Sequence, residues 1–417
     1  MTHSTSIELL APAGGPAQLS AALDAGADAV YFGVDRMNMR ARATNFPLAS
    51  LPDTVARIHR AGAKAYLTLN TLVMESELAD ISPILESAVQ AKVDAVIAAD
   101  WAVIRAAIRA GLPVHISTQL SVSNHEALAF LHELGIRRVV LARECSLQDL
   151  IEMREALKNQ MGIEDMEFEV FAHGAMCVAQ SGRCFMSGFE TGRSASRGDC
   201  AQPCRQPYTL NADRKGEGFR LEGEHLLSPK DLCTLPFLEQ ILEAGISSLK
   251  IEGRNRSPDY VHTVVSAYRS VIDATLQGQQ TEALETVKTE AIASVERVYN
   301  RGFSSGFYLG RPMKAWTSSP GNHSSCKRVY IGQVMKHVAA ERRTRLRLES
   351  DGLAVGDEVF FEGPETGYKP LTITRLRQEG RDITRGEKGD IIDLISDQIL
   401  YPADRMYRYL ERGCPHP

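Results

Sequence analysis

Four cysteines lie close together in one short stretch that is rich in glycine and arginine. They are Cys177, Cys184, Cys200 and Cys204, half of the eight cysteines in the chain. Thiolates are soft ligands, so four of them at short range suit an iron–sulfur cluster or a structural zinc ion. Zinc sites usually pair cysteines two to four residues apart, and only the last two are spaced in this way. The spacing favours a cluster, while zinc, two disulfides or four unconnected thiols remain alternatives.

The other four cysteines are scattered along the chain. Cys233 could be an additional metal ligand, but it fits better as a small buried apolar residue at the start of a helix. Cys145, Cys326 and Cys414 lie far apart in sequence, and we interpret them as ordinary thiols.

The composition describes a globular protein of two or three domains. The chain has 417 residues, 44% hydrophobic and 24% charged, with a net charge of −5. Its first residues lack the basic and apolar regions of a signal peptide, and no apolar run approaches the roughly 20 residues of a membrane span. We therefore expect a cytoplasmic protein that does not enter the membrane. The mild acidity neither indicates nor excludes binding to nucleic acid.

Short apolar runs alternate with alanine-rich helical stretches through the first two thirds of the chain. This pattern is typical of a parallel sheet whose faces are both covered by helices. Eight runs are present, the number that closes a (β/α)8 barrel: residues 8–12, 29–33, 64–70, 94–100, 114–119, 138–144, 168–174 and 248–254. We predict an α/β fold with a TIM-like barrel over residues 1–310.

Two further regions are predicted from the spacing and the composition. The long interval between the seventh and eighth runs contains the four cysteines, so residues 175–247 form a Cys-rich insertion. It leaves the carboxyl end of the seventh strand, which is the active-site face of such barrels. A Gly/Ser-rich linker at 311–325 then leads to short alternating segments, which predict a small C-terminal β-barrel or sandwich domain at 326–417.

Polar residues end or closely follow the predicted strands, where a barrel places its active site. We predict three catalytic candidates, His173, Glu252 and Arg143. The substrate-binding candidates are Arg40, Arg42, Asn70, Gln119 and Arg254. Arginine grips carboxylates and phosphates with two parallel hydrogen bonds, so an anionic substrate is expected. Any one of these residues could instead be structural: Glu252 could pair with Arg254, and His173 could be a buried histidine.

Two patterns that resemble peptidase motifs are weak. Residues 302–306 match Gly-x-Ser-x-Gly, but a nucleophile elbow needs a strand before it and a helix after it. A predicted helix precedes this match and a linker follows it. His125 begins a His-Glu sequence that lacks the second histidine of a zinc protease. We interpret both as coincidences.

Six motifs, in order, resemble peptidase family U32, the collagenase-like peptidases. They are ELLAPAG at 8–14, AGADAVYFG at 25–33, HGAMC at 173–177, SGRC at 181–184, RGDCAQPCR at 197–205 and LKIEGR at 249–254. The resemblance extends over residues 8–307, and the C-terminal domain is similar to one found in longer members.

The resemblance implies a hydroxylation reaction, which the motifs by themselves do not indicate. Better-understood members are oxygen-independent hydroxylases that carry a 4Fe–4S cluster and use prephenate as hydroxyl donor. They act on a tRNA wobble uridine, a ribosomal RNA cytidine or a ubiquinone precursor. The family's cluster ligands match Cys177, Cys184, Cys200 and Cys204. The chain length and the terminal β domain favour the tRNA type, with tRNA and a prephenate-like anion as partners. A ribosomal RNA hydroxylase, a protease and a zinc-stabilised RNA-binding protein remain alternatives, as do homo- or hetero-oligomers.

Two sets of arginines are candidates to hold RNA. Arg343, Arg345 and Arg347 alternate along one predicted strand beside Arg342, so the three share a face. The insertion adds Arg193, Arg197 and Arg205. Co-facial cations can follow a phosphate backbone, although a solvated strand face explains the first set equally well.

Overall fold

A closed barrel of eight parallel strands forms the first part of the molecule. The computed structural model describes residues 7–208, 225, 227–279, 281–317, 319 and 321–412. The first seven barrel strands are β1 (Glu8–Ala13), β2 (Ala29–Phe32), β3 (Lys64–Leu69), β4 (Ala95–Ala98), β5 (Val114–Ile116), β6 (Arg138–Val140) and β7 (Glu167–Gly174). A short strand, β8 (Asp231–Cys233), then runs antiparallel to β7. The eighth barrel strand, β9 (Ser248–Ile251), pairs with both β7 and β1 and closes the barrel.

Helices cover the outside of the barrel because each connection must return the chain to the same end of the sheet. The helices are α1 (Pro16–Asp24), α2 (Leu51–Arg60), α3 (Ile81–Ala91), α4 (Trp101–Arg109), α5 (His125–Glu133), α6 (Leu147–Met161), α7 (Met186–Thr191), α8 (Leu238–Glu243), α9 (Pro258–Leu276) and α10 (Thr281–Arg297), of which α7 belongs to the cysteine-containing segment. The main apolar core lies between strands and helices. All eight predicted barrel strands are confirmed.

The barrel interior contains a column of buried charges of alternating sign. At its base Glu8 pairs with Arg138, and above them Glu169 accepts a 2.7 Å hydrogen bond from Lys250 Nζ. All four side chains are less than a tenth exposed. Burial by itself raises the pKa of Glu8, but Arg138 outweighs it and holds that pKa below its ordinary value. Burying a charged side chain without a partner of opposite charge destabilises a protein by several kcal/mol. The alternation of acidic and basic side chains gives each of these charges such a partner.

The cysteine-containing segment folds back over the carboxyl end of the barrel. Two backbone hydrogen bonds fasten it there: Ala41 N donates to Gly198 O at 3.2 Å and Leu72 N to Ser196 O at 3.1 Å. Gly198 has φ +85°, and a Cβ at this position would lie 2.3 Å from the carbonyl oxygen of Asn38. Only glycine therefore allows the segment to approach the barrel so closely.

The predicted insertion, 175–247, includes two regular elements besides the cysteine-containing segment. Strand β8 and helix α8 lie within that range but belong to the barrel wall, because β8 pairs with β7 and α8 leads directly into β9. Residues 209–224 and 226 of the predicted insertion lie outside the described residues.

The C-terminal part is an antiparallel sheet. After β10 (Phe303–Ser304), which pairs with β8, the strands are β11 (Cys326–Val338), β12 (Arg343–Leu348), β13 (Leu353–Ala354), β14 (Glu358–Gly363), β15 (Gly367–Thr372), β16 (Leu376–Gln378), β17 (Arg381–Ile383), β18 (Arg385–Gly386), β19 (Ile391–Ile395) and β20 (Arg405–Glu411). Eight of them form one sheet in the order β15-β14-β20-β11-β12-β19-β16-β17, and β13 pairs with β18. The sheet has its own apolar core, which includes Leu346, Phe361 and Met406.

The C-terminal sheet is fastened to the barrel by buried ionic contacts. Arg328 on β11 pairs with Asp259 of α9 at 3.1 Å and with Glu362 of β14, and the Tyr409 hydroxyl donates to Asp259 Oδ2 at 2.6 Å. The predicted linker, 311–325, connects the two parts, and Thr317 N within it donates to Ser228 O at 2.8 Å. The described residues of this linker are therefore bound to the barrel, and the predicted domain boundaries stay a prediction.

Within the part of the chain that the structure describes, no helix is both long enough and apolar enough to cross a membrane.

Gly198→Ala tests how the insertion is docked. We expect a loss of about 1–3 kcal/mol in the free energy of unfolding, because the added Cβ collides with backbone. Gly192→Ala is the matched control: Gly192 also has a positive φ, of +70°, but nothing lies within 4 Å of an added Cβ. Chemical denaturation of both variants measures the difference. Equal losses would show that backbone conformation, and not close approach, requires glycine at 198.

Candidate active site at the barrel mouth

A small polar cavity of about 40 Å³ lies at the carboxyl ends of the barrel strands. Six predicted site residues line it: Arg40, Asn70, Gln119, Arg143, Glu252 and Arg254. The cavity has room for a few water molecules or one carboxylate group. The structure thus brings together most of the site residues that were predicted from their positions at or just after the ends of the strands.

Three guanidinium groups in this cavity face a single carboxylate. Arg40 binds Glu252 Oε1 through Nε at 3.1 Å and Nη2 at 2.7 Å, so the partner of Glu252 is Arg40 and not Arg254. Neither Arg143 nor Arg254 pairs with a carboxylate among the described residues. Lys250, which also lines the cavity, is matched by Glu169. The cavity therefore carries two positive charges in excess.

Arg143 and Arg254 are held by neutral groups instead. Arg254 Nη1 donates to Thr68 Oγ1 at 2.9 Å and to the amide oxygen of Asn38 at 3.2 Å, while its Nε is buried without a partner. Arg143 Nη1 donates to the carbonyl oxygen of Ala175 at 2.6 Å. Burial and the nearby Arg40 lower the pKa of Arg254 to about 10. Such unmatched, desolvated guanidinium groups favour an incoming anion.

Glu252 is ionised in this environment. Burial alone raises its pKa, but Arg40, Arg143 and Arg254 outweigh that effect and hold the pKa at about 2. At neutral pH the side chain of Glu252 is therefore a carboxylate that orients Arg40, and it has no proton to donate.

A hydrogen-bonded amide pair supports the loop that carries Arg40. Asn70 Oδ1 accepts a 3.1 Å hydrogen bond from Met39 N, and Asn70 Nδ2 donates to Ser117 Oγ at 3.2 Å and to Gln119 Oε1 at 3.3 Å. Both amide side chains thus help to shape the cavity wall.

Two predicted site residues lie away from the cavity. The His173 ring is almost fully buried against Tyr260, Tyr268 and Phe303. Burial lowers the pKa of His173 to about 3, so its ring is neutral, and this surrounding favours a structural role. Arg42 is about half exposed and pairs with Asp199 at 3.3 Å.

The four cysteines of the insertion are free thiols. Burial raises the pKa of Cys200 and of Cys204, and the other thiolates of the group raise both pKa values further. The four sulfurs are therefore electrostatic neighbours. Among the described residues, however, no three His, Cys, Asp or Glu side chains converge tightly enough to hold one metal ion. A zinc ion needs each sulfur at about 2.3 Å, whereas a four-iron cluster spreads its ligands because each cysteine binds a different iron.

Hydrogen-bond donors and cations surround these thiols. Met186 N donates to Cys184 Sγ at 3.4 Å and Gln202 N to Cys200 Sγ at 3.3 Å. Arg40 and Arg143 interact electrostatically with Cys177, and Arg205 with Cys204. Both kinds of contact stabilise negative charge on sulfur, so the donor set and its surroundings fit an iron–sulfur cluster.

A second cavity, of about 360 Å³, adjoins the first and is lined by one of the four cysteines, Cys184. Cys184 and Phe185 line its outer part, and Met39, Asn70 and Gln119 line both cavities. Its volume falls within the roughly 300–1,000 Å³ of small-molecule sites. A molecule in this outer cavity can therefore contact Cys184 and also Asn70 and Gln119, which line the inner cavity.

The remaining cysteines lie outside this group. Cys233 is buried on β8, and burial raises its pKa to about 11. It stands on a strand and not at a helix start. Cys145 is buried with a pKa raised by burial to about 12, and Cys326 is buried at the start of β11. Cys414 lies outside the described residues.

The predicted arginine surfaces are largely neutralised. On β12 the alternation is confirmed, since Leu346 and Leu348 are buried, but Arg343 and Arg345 both pair with Asp393 on neighbouring β19. Further ion pairs link Arg342 to Asp397, Arg193 to Asp199 and Arg197 to Glu77. Arg205 donates to the carbonyl oxygens of Met176 and Pro229. Most of these arginines are therefore engaged in ion pairs or hydrogen bonds, and their part in holding RNA stays a prediction.

Sequence reasoning missed Lys250 as a residue of the cavity. Its signal was present, because Lys250, Glu252 and Arg254 alternate, and alternate residues of a strand share one face. The Gly-x-Ser-x-Gly match lacks a nucleophile's surroundings. Among the described residues the Ser304 hydroxyl has one hydrogen-bond partner, Gly306 N at 3.4 Å, and turns follow β10 where an elbow needs a helix.

Comparison with known proteins gives a consistent family assignment. A family model described as peptidase family U32 matches residues 14–318. A protein named collagenase from Porphyromonas gingivalis is 37% identical over 410 residues, covering 97% of this chain and 98% of its own length. The tRNA hydroxylation protein P1 of Bacillus subtilis is 34% identical, covering 96% and 94%. The 23S rRNA 5-hydroxycytidine C2501 synthase of Escherichia coli is 37% identical, covering 88% of this chain but 55% of its own length.

Glu252→Gln tests the electrostatics of the mouth. Because the pKa of Glu252 is about 2 in the folded protein against an ordinary 4.5, the carboxylate stabilises the fold above about pH 5. That contribution, about 3 kcal/mol at most, is lost as the pH falls towards 2. We expect the variant to be less stable at neutral pH and to lose less stability over this range, as measured by urea unfolding at several pH values. Glu86→Gln, at an exposed position of α3, should behave like the wild type. Identical pH slopes for wild type and Glu252→Gln would contradict the assignment.

Proposed function

We propose, from the premise that this chain belongs to peptidase family U32, that it is an iron–sulfur enzyme that hydroxylates a pyrimidine of RNA. One observation carries the proposal: Cys177, one of four free thiols in the insertion, interacts electrostatically with Arg40 and Arg143 of a cavity that has two unmatched guanidinium groups. Thiols in that number suit a redox cluster, and the guanidinium groups suit an anionic co-substrate.

The cluster that we propose is a 4Fe–4S cluster held by Cys177, Cys184, Cys200 and Cys204. When bound, it supplies electron-transfer chemistry that protein side chains lack. The chain itself supplies the surroundings. Arg40 and Arg143 offset negative charge at Cys177, and the backbone N–H groups of Met186 and Gln202 stabilise two of the thiolates.

The hydroxyl donor that we propose is a dicarboxylate such as prephenate. Arg143 and Arg254 are the two cavity arginines without a carboxylate partner among the described residues, so together they can take one carboxylate of the donor. The 40 Å³ cavity admits one such group, and the adjoining 360 Å³ cavity admits the rest of the molecule beside Cys184. Asn70 and Gln119, which line both cavities, orient it by hydrogen bonds.

The proposed RNA is tRNA, with the wobble uridine as the modified nucleotide. The relative named for tRNA hydroxylation matches this chain over nearly the whole length of both proteins. The relative named for ribosomal RNA is much longer than the match, so a ribosomal RNA cytidine is the second candidate. Peptidase activity is less well supported despite the relative named collagenase, because the described residues place no catalytic base beside Ser304.

Nucleoside mass spectrometry tests the proposed function. RNA from a deletion strain should lack one hydroxylated pyrimidine, in the tRNA fraction, and the wild-type gene should restore it. Cys184→Ser should restore nothing and should yield protein without bound iron, because the four cysteines act as one ligand set. Cys233→Ala, at a buried cysteine outside that set, is the matched control and should retain iron and activity.

Three outcomes would contradict the proposal. The first is an unchanged nucleoside profile in both tRNA and ribosomal RNA. The second is stoichiometric zinc without visible absorption in anaerobically purified protein. The third is loss of the modification with full iron content in Cys184→Ser, which would separate the cysteine from the cluster.

Arg254→Gln tests the donor site. Loss of one charged hydrogen-bonded contact costs about 1.5–3 kcal/mol, so prephenate binding should weaken roughly 10- to 100-fold in calorimetry. Arg42→Gln is the matched control, since Arg42 is half exposed, pairs with Asp199 and does not line the cavity. If both variants bind prephenate like the wild type, the anion site lies elsewhere.

A further inference from the structure

Two phenylalanine rings stand exposed on the insertion, next to the cysteines. Phe185 is 79% exposed and Phe189 is 88% exposed. They lie one helical turn apart, since Phe189 N donates to Phe185 O at 3.0 Å, and their ring centroids are 6.2 Å apart. Phenylalanine is costly to expose to water, so an adjacent pair of this kind indicates a surface that is covered when the protein functions.

The opposite face of α7 anchors this aromatic pair. Ser187 is 1% exposed, and its hydroxyl accepts a 2.9 Å hydrogen bond from Ala201 N, directly after Cys200. The helix is therefore bound to the segment that carries the cysteines, and its two rings face outwards from a fixed support. A fixed aromatic surface loses little conformational entropy when a partner covers it.

The aromatic pair is continuous with the outer cavity of the proposed active site. Phe185 lines that cavity together with Cys184 and Leu72, and Leu72 is itself 51% exposed. An occupant that covers the rings can thus extend directly into the cavity and reach Cys184.

The charge beside the rings favours an anionic occupant. Arg183 lines the same cavity, is exposed, and has no ion-pair or hydrogen-bond partner for its guanidinium within the described residues. Asp100 is the one acidic residue among those described in the lining, and its two oxygens accept hydrogen bonds from the backbone N–H groups of Ala102 and Val73. A phosphate group near Arg183 can therefore pair with its guanidinium group. The carboxylate of Asp100 already accepts two backbone hydrogen bonds, which reduce its repulsion of the phosphate.

We infer that Phe185 and Phe189 form a stacking platform for an unpaired base of single-stranded RNA, next to the nucleotide that enters the outer cavity. Aromatic faces accept any base, and Arg183 receives the adjoining phosphate. Bases inside a duplex cannot reach such a surface, so the platform selects an open loop over a paired stem. The inference rests on the proposed function and names how that site holds its substrate.

Binding measurements test the platform independently of catalysis. The full-length protein is titrated with a labelled synthetic RNA hairpin that has an unpaired loop, at fixed salt, and binding is followed by fluorescence anisotropy. Phe185→Leu and Phe189→Leu should each weaken binding roughly 5- to 100-fold, the loss of one stacked base. Phe185→Tyr should bind like the wild type because it keeps an aromatic face. A fully paired duplex should bind weakly to every variant.

Matched controls separate stacking from folding. Phe130→Leu removes a ring that is 53% exposed on α5, away from the cysteines, and should leave binding unchanged. Iron content should be equal in all variants. If Phe185→Leu loses iron, the test of the platform is the RNA affinity of Phe189→Leu compared with that of Phe185→Tyr. Both of these variants keep an aromatic residue at position 185, next to Cys184.

The possible results distinguish the platform from the proposed function. Wild-type affinity in both leucine variants overturns the platform, even if the enzyme modifies RNA. Aromatic-dependent hairpin binding without any modified nucleoside supports the platform and overturns the hydroxylase. Aromatic-dependent binding of denatured collagen, with RNA binding unaffected, overturns the platform in favour of a protein partner.

Discussion

Charge balance inside a closed barrel is the constraint on which the active site depends. Water is largely excluded there, so each charge needs a partner. At the base of the interior Glu8, Arg138, Glu169 and Lys250 satisfy this requirement among themselves. At the mouth of the barrel the charges are not balanced, because the carboxylate of Glu252 pairs with only one of three arginines, Arg40. The fold thus places uncompensated positive charge at one end of the barrel, beneath the cysteines.

The insertion completes this end of the molecule by close backbone contact. Gly198 lets the segment lie against the loop after β2, and main-chain hydrogen bonds hold it there. That docking brings Cys177 within electrostatic range of Arg40, in the loop after β2, and of Arg143, just after β6. The barrel therefore provides Arg40 and Arg143, and the insertion provides Cys177. The C-terminal sheet packs on α9 through Arg328 and Asp259, and none of its described residues lines either cavity.

Relatives of this chain carry names from different chemistries, including a collagenase and two RNA-modifying proteins. A shared barrel does not decide between such activities, because function depends on the groups at its mouth. Hydrolysis of a peptide needs an activated nucleophile or a metal-bound water, and Ser304 has no base beside it among the described residues. The cysteines and the unmatched arginines offer chemistry of another kind. For this chain the composition of the mouth therefore weighs more than the family's name.

Hydrophobic periodicity and local spacing in the sequence predict the strands, the helices between them and the grouping of the cysteines, because they record which face of an element is buried. Lys250 on β9 and Glu252 and Arg254, which follow that strand, alternate along the chain and line the same cavity. Which groups meet depends on the folded structure. Glu252 pairs with Arg40, 212 positions away, and not with nearby Arg254. His173 is enclosed by aromatic rings from α9 and β10, and Asp393 on β19 neutralises arginines of β12. Hydrophobic periodicity predicts which face of a helix or strand is buried. The net charge at that face depends on the side chains of the elements that pack beside it.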